Sequence, residues 1–143
     1  MRFWDASAVV PLLVEEAATS AMRAKYAEDV ELAAWWGTVV ECVSAIARRH
    51  RAGALAPDLA ADALKRLREL ARSWTEMAPS EAIRESAQRI VGSHDLRAAD
   101  ALQLAAALAA AEGRPPSLSF VSLDRRLNEA ARREGFRVVE LGT

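Results

Sequence analysis

The sequence predicts an α/β fold in which helices cover both faces of a parallel sheet, within a single domain that spans residues 1–143. Three observations lead to this prediction. The chain has 143 residues, a length that suits one domain. Its residues are 52% hydrophobic and 27% charged, which is typical of a globular protein and not of a disordered chain. Short apolar runs alternate with segments of helical spacing, as in parallel sheets whose strands are joined by helices.

Each element follows from a local pattern. Short apolar runs predict strands at Arg2–Asp5, Glu31–Trp35, Ser73–Met77, Leu118–Ser122 and Arg137–Glu140. Helical spacing of apolar residues, together with frequent alanine, predicts helices at Ala8–Leu13, Thr19–Ala27, Thr38–Arg51, Pro57–Arg72, Ser80–Val91, Leu96–Glu112 and Arg125–Glu134. One proline starts a helix and four glycines end helices, namely Pro57, Gly53, Gly92, Gly113 and Gly135.

Charge and cysteine content restrict the classes of function. With 19 basic and 20 acidic residues the formal net charge is −1, so strong and indiscriminate binding to nucleic acid is not expected. This charge balance is still compatible with a local basic strip beside a metal site. The single cysteine, Cys42, excludes an internal disulfide and indicates a reducing compartment. The early Asp5 argues against a signal peptide, and no uncharged apolar run of about 18 residues occurs. We therefore expect a cytoplasmic protein with no membrane segment.

Three acidic residues each have a purely structural explanation. Asp5 and Asp124 follow predicted strands, where each could cap the next helix through its side chain. Glu41 comes three residues after Thr38, which is the spacing of a capping box. Taken one at a time, these acids do not indicate a functional site.

Asp100 is different because it lies inside a predicted helix, on the same face as Leu104 and Leu108. A carboxylate on an apolar face is strongly destabilising unless it is paired or bound to a metal ion. Arg97, three residues earlier, is a candidate partner. The alternatives at this position are therefore an ion pair and a metal site.

Considered together, the four acids point to a metal site. Asp5 and Asp124 stand at the ends of strands, and Glu41 and Asp100 lie in the first turns of helices that would start at the same edge of the sheet. Four converging carboxylates repel one another, and no lysine lies near any of them in the sequence. Sets of oxygen ligands of this kind suit Mg²⁺ or Mn²⁺.

The chain resembles the PIN-domain ribonucleases, in particular the VapC-type toxins of type II toxin–antitoxin pairs. The resemblance covers nearly the whole chain and is carried by the segments Phe3–Ala8, Val40–Ala45, His94–Ala105, Phe120–Leu127 and Ala130–Phe136. It implies a PIN-like three-layer α/β/α fold with a short central sheet. It also implies that the acidic quartet binds the metal and acts in catalysis, as Asp5, Glu41, Asp100 and Asp124.

The resemblance further implies a Mg²⁺- or Mn²⁺-dependent endoribonuclease that hydrolyses phosphodiester bonds and leaves 5′-phosphate and 3′-hydroxyl ends. Ser7 matches a hydroxyl position of the family, and Ser122 stands where the family more often carries threonine. Both would orient ligands or water beside the metal. Arg97 and Arg125, next to quartet members, are candidate contacts for RNA phosphates. The implied protein partners are a cognate antitoxin that blocks the site and a second copy of the chain in a homodimer.

Other functions remain open from the sequence. A non-toxin PIN nuclease for RNA processing and a catalytically silent binding protein share the same pattern. A receiver-like Mg²⁺-binding signalling domain needs a lysine near a late strand, and both Lys25 and Lys65 come too early. A histidine pair, His50 and His94, would cleave RNA without metal by acid–base chemistry.

Two further predictions concern apolar residues. Because side chains alternate along a strand, one of the adjacent Trp35 and Trp36 should face the core and the other should face outward, where it would suit a partner groove. Cys42 is interpreted as a small buried residue and not as a nucleophile.

Overall fold

The computed structural model describes residues 1–141 and has the predicted alternation of strands and helices. The strands are β1 (Arg2–Trp4), β2 (Leu32–Trp35), β3 (Thr75–Met77), β4 (Ser119–Val121) and β5 (Arg137–Val138). The helices are α1 (Ala6–Leu13), α2 (Thr19–Glu28), α3 (Thr38–Arg51), α4 (Pro57–Ser73), α5 (Glu81–Ser93), α6 (Ala98–Ala110) and α7 (Arg125–Arg133). A single 3₁₀ turn spans Pro115–Ser117 in the described residues.

The five strands form one sheet in the order β3-β2-β1-β4-β5, and every neighbouring pair is parallel. Adjacent residues of one strand enter opposite cores, as Phe3 and Trp4 do on β1. One core joins the sheet to α5, α6 and α7, and the other joins it to α1 through α4. The predicted fold class, a parallel sheet between two helical layers, is therefore confirmed.

One of the four glycines that were predicted to end helices does not do so. Gly53, Gly113 and Gly135 take positive φ values, as helix-ending glycines commonly do, whereas Gly92 lies within α5. Helix α5 instead stops at His94, whose backbone is extended. The prediction that Gly92 ends this helix is therefore wrong.

Helix α6 is shorter at both ends than the predicted Leu96–Glu112. Arg97 is extended (φ −76°, ψ 161°) and precedes the first helical residue, Ala98. Asp100 lies in the first turn of α6, as predicted. In the same way α1 starts at Ala6, directly after Asp5, and not at Ala8.

The connection from β2 to α3 is tightly packed. The indole of Trp35 lies against Gly37, where a Cβ atom would meet Trp35 Nε1 at 2.6 Å, so only glycine fits without a shift. Trp35 is 8% exposed and Trp36 is 55% exposed. The prediction that one of them faces the core and the other faces outward is therefore confirmed. Among residues 1–141, no helix is both long and apolar enough to cross a membrane.

Candidate functional site

The four acids predicted from the sequence line one cavity of about 500 Å³ at the carboxyl ends of β1 and β4. We call it the acidic cavity; its acidic quartet is Asp5, Glu41, Asp100 and Asp124. Asp5 and Asp124 each follow a strand, and the other two lie in the first turns of α3 and α6. Parallel strands place their carboxyl ends at the same edge of the sheet. Residues that are up to 119 positions apart in the sequence therefore meet there.

Asp5 is the most deeply buried member, with 3% of its surface exposed. It stands at the N-cap position of α1, but its side chain makes no capping hydrogen bond of normal geometry to the helix. Instead its Oδ1 accepts a hydrogen bond of 2.6 Å from the Ser7 hydroxyl. Burial raises the pKa of Asp5 to about 7, the charge of Glu41 adds to this rise, and the Ser7 and Ser122 hydroxyls oppose it.

Ser7 and Ser122 form a hydroxyl pair, with their Oγ atoms 3.2 Å apart. Ser7 Oγ also accepts from the Leu123 backbone N–H at 2.9 Å, and Ser122 Oγ accepts from the Asp124 N–H at 3.0 Å. These bonds connect the chain after β1 to the chain after β4. The two serines therefore fix the positions of the two acids that follow these strands.

Glu41 does not form the capping box predicted from the sequence. Gly37 is the N-cap residue of α3, and Thr38 is already the first helical residue. The Glu41 side chain accepts a hydrogen bond from Gln103 Nε2, and Thr38 Oγ1 accepts from the same nitrogen at 2.9 Å. Burial and the charge of Asp100 raise the pKa of Glu41, and the Gln103 hydrogen bond partly offsets the rise.

Asp100 is half-buried, and its pKa is raised by burial and then by the charge of Asp124. The charge of Arg97 lowers it, but the two side chains form no ion pair in residues 1–141. Asp124 does cap α7, because its Oδ1 accepts from the Leu127 N–H at 3.1 Å. The capping interpretation is thus correct for Asp124, which also lines the acidic cavity.

A second cavity of about 450 Å³ adjoins the first and shares Asp100 and Asp124 with it. We call it the arginine cavity, because Arg97, Arg125 and Arg126 line it. All three arginines are exposed. The structure therefore brings the two arginines predicted from the sequence beside two members of the quartet.

Sequence reasoning missed other residues of the acidic cavity. Arg48 and Arg49 line it on the side of α3, together with Glu16. Arg49 is held by an ion pair of 3.0 Å to Glu16, whereas Arg48 forms no ion pair in the part of the chain that the structure describes. Arg48 follows Glu41 by seven residues, or two helical turns, and this spacing was a signal that could have identified it.

The quartet has the donor chemistry of a site for a hard divalent cation. Its side chains supply only oxygen ligands, charges within the set raise the pKa values of three members, and no arginine or lysine pairs with any of the four in residues 1–141. No three His, Cys, Asp or Glu side chains in these residues already stand in the arrangement of a metal site. The residues thus fit Mg²⁺ or Mn²⁺ in chemical type.

The histidines and the cysteine take other roles. His50 Nδ1 lies 3.1 Å from the Leu55 carbonyl oxygen after α3, and His94 Nε2 lies 2.7 Å from a carboxylate oxygen of Glu134. Neither histidine lines the acidic cavity. Cys42 is fully buried, and burial raises the pKa of its thiol to about 12, so the interpretation as a buried residue is confirmed.

No protein-family model and no curated protein matches the chain. Among solved structures it is similar to the crystal structure of FitAcB from Neisseria gonorrhoeae, with 20% sequence identity and a TM-score of 0.64. The alignment covers 98% of this chain and 97% of that chain. At this level of identity the likeness shows the fold alone, and it agrees with the predicted PIN-like α/β/α arrangement.

The raised pKa of Asp5 predicts a pH dependence of stability. Between its ordinary value of 3.8 and about 7, the folded protein holds a proton that the unfolded chain has lost. Without divalent cations, the free energy of unfolding should therefore fall as the pH rises through this range. The substitution Asp5→Asn should remove this contribution and, at pH 8, raise the free energy of unfolding by up to about 4 kcal/mol in urea titrations with EDTA.

Asp62→Asn is the control for this prediction, because Asp62 is exposed on α4 and outside the acidic cavity. It should leave the pH profile of the wild type unchanged. A profile for Asp5→Asn that is as steep as that of the wild type would show that Asp5 is not the group that titrates.

Proposed function

We propose that this protein is a Mg²⁺- or Mn²⁺-dependent endoribonuclease of the PIN-domain type and acts as the toxin of a toxin–antitoxin pair. The observation that carries the proposal is the convergence of the acidic quartet on one cavity, without an ion-pair partner in residues 1–141. Such a set of carboxylates is destabilising by itself and becomes favourable when it holds a cation. The fold that the chain shares with the FitAcB structure is compatible with this function.

A bound divalent cation supplies Lewis-acid catalysis, in that it acidifies a water molecule and offsets charge on the phosphate. Asp5, Asp100 and Asp124, with Glu41, would be its ligands. Ser7 would keep the Asp5 carboxylate oriented through their 2.6 Å hydrogen bond. No histidine is needed for this hydrolysis, and neither histidine lines the acidic cavity.

The arginines support a polyanionic substrate that extends on both sides of the quartet. Arg97 and Arg125 line the arginine cavity on one side, and Arg48 lies on the other side along α3. None of the three forms an ion pair in the described residues, so their guanidinium groups are available to phosphates. With a net charge of −1, binding would depend on this local set and not on general attraction to RNA.

The surface beside Glu41 supports a protein partner. Trp36, Val40 and Val43 are 55%, 67% and 40% exposed, although they are large and apolar. In the proposed function, the cognate antitoxin covers the acidic cavity and its apolar surroundings, and the protein acts in the cytoplasm as a homodimer. This part of the proposal rests chiefly on the resemblance of the sequence to VapC-type toxins.

The receiver-like alternative is not favoured. Such a domain needs a lysine at the acidic site, whereas Lys25 pairs with Glu28 at 3.2 Å on α2 and Lys65 lies exposed on α4. Neither lysine lines the acidic cavity. The remaining alternatives, a non-toxin RNA-processing nuclease and a silent binding protein, are separated by the following experiments.

The purified protein should cleave members of a panel of structured RNAs in Mg²⁺ or Mn²⁺ and not in EDTA. The products should carry 5′-phosphate and 3′-hydroxyl ends, because the attacking oxygen comes from water and the ribose oxygen leaves. Asp100→Asn should reduce cleavage at least 100-fold while the fold is retained, since it removes a proposed ligand and also relieves repulsion. Glu85→Gln, on the exposed face of α5, should cleave like the wild type.

Cleavage that persists in EDTA and leaves 2′,3′-cyclic phosphate ends would contradict the metal mechanism and favour His50 and His94. Absence of cleavage across the whole panel would favour a binding protein. Equal loss of activity in Asp100→Asn and Glu85→Gln would show that the site lies elsewhere.

Expression of the chain alone in bacteria should slow growth, and co-expression with an antitoxin encoded next to it should restore growth. The Asp100→Asn variant, expressed to the same level, should not slow growth. If growth is normal with the wild type while the purified protein cleaves RNA, the protein is a processing nuclease and not a toxin.

A further inference from the structure

Gln103 is a buried amide that links two helices of different layers. It lies on α6, one turn after Asp100, and only 1% of its surface is exposed. Its neighbours on this helix, Leu104 and Ala105, are apolar core residues. A buried amide is destabilising unless its polar atoms are hydrogen-bonded. The hydrogen-bond partners of its nitrogen and its oxygen therefore indicate its role.

Both hydrogen bonds of this amide go to α3. Gln103 Nε2 donates to Thr38 Oγ1 at 2.9 Å and to Glu41 Oε2. An ionised carboxylate can only accept, so the nitrogen must face Glu41; the flipped amide would bring two acceptor oxygens together. In this orientation Gln103 Oε1 is buried and receives no donor from residues 1–141. Within residues 1–141 the amide is therefore hydrogen-bonded through its nitrogen, next to the acidic cavity, and not through its oxygen.

We infer that Gln103 is a positioning residue, which holds the Glu41 carboxylate in the acidic cavity in the orientation needed to bind a divalent cation. The inference rests on the proposed function. Glu41 is only half-buried, and the charge of Asp100 repels it. Without the hydrogen bond from Gln103 Nε2, the Glu41 side chain would turn toward solvent. Gln103 opposes this movement from a rigid position in the core.

The lack of a donor to Gln103 Oε1 from residues 1–141 separates this role from simple packing. An unsatisfied buried acceptor destabilises the fold, and a methionine of similar length would fill the same space without it. If Gln103 served stability alone, an apolar residue would do better. The orientation of the amide is explained when its function is to donate to Glu41.

The test measures stabilisation by Mn²⁺, which is a binding readout independent of RNA cleavage. The melting temperature of the full chain is followed against Mn²⁺ concentration for the wild type, Gln103→Met, Glu41→Ala and the double variant. Gln103→Met should melt no lower than the wild type in EDTA but need at least ten times more Mn²⁺ for half of the thermal shift. The double variant should respond like Glu41→Ala alone, since both substitutions remove the contribution of the same carboxylate.

Two controls complete the design. Gln88→Leu removes an exposed glutamine on α5 and should leave the Mn²⁺ response unchanged. Gln103→Leu is a second apolar variant, in case Gln103→Met folds poorly. Thr38→Val removes one of the two acceptors and leaves the bond to Glu41, so it should shift the Mn²⁺ response less than Gln103→Met does.

The outcomes distinguish this inference from the proposed function. If the wild type does not respond to Mn²⁺, the proposed metal site fails, and the role of Gln103 fails with it. If the wild type responds and both apolar variants of Gln103 respond equally, only the positioning role is overturned. Additive losses in the double variant would also overturn it, because Gln103 would then act independently of Glu41.

Discussion

Repulsion among four carboxylates is the physical constraint on which the site depends. Asp5 is buried at the end of β1 with its pKa raised to about 7, and the charge of Glu41 contributes to that rise. The pKa of Glu41 is raised in turn by the charge of Asp100, and that of Asp100 by the charge of Asp124. The charges of Glu41, Asp100 and Asp124 thus each make ionisation of another member less favourable. Three of the four acids accept hydrogen bonds from neutral groups in residues 1–141.

Those bonds come from neutral donors on several elements. The Ser7 hydroxyl donates to Asp5, the Gln103 amide to Glu41 and the Leu127 backbone N–H to Asp124. None of these donors carries a charge, so none of them cancels the negative potential of the acidic cavity. The arginines that line the two cavities form no ion pair with the quartet in residues 1–141. The cavity therefore keeps the character of a cation site, with cationic side chains at its sides.

The two-sided core gives the edge of the sheet its rigidity. Phe3 on β1 stacks on Phe120 on β4 with ring centroids 5.7 Å apart, and the strands pair in register from Arg2 to Trp4. Directly beyond this pairing, the hydroxyls of Ser7 and Ser122 lie 3.2 Å apart. The separation of the chain segments that carry Asp5 and Asp124 is therefore set by packing in the core and not by the acids themselves.

The sequence allowed the order of elements and the location of the quartet to be predicted, because both follow from periodicity and from the geometry of parallel sheets. It did not predict Gln103, since that interpretation requires knowledge of which helices are neighbours across the sheet. Arg48 was overlooked although its spacing from Glu41, two turns along the same helix, is visible in the sequence. The capping box at Thr38 and Glu41 was predicted and is wrong, because a local motif was outweighed by the hydrogen bonds of Gln103 from another helix. The N-cap at Asp124 was correct, because no such competing donor reaches it.

The central claim is that the quartet holds a divalent cation, and anomalous diffraction from crystals soaked in Mn²⁺ tests it most directly. The account predicts an anomalous peak in the acidic cavity, in contact with carboxylate oxygens of at least two of the four acids. Crystals of Asp100→Asn, soaked in the same way, should give a weaker peak. Absence of a peak in the wild type, with Arg48 turned inward to pair with the acids, would contradict the account.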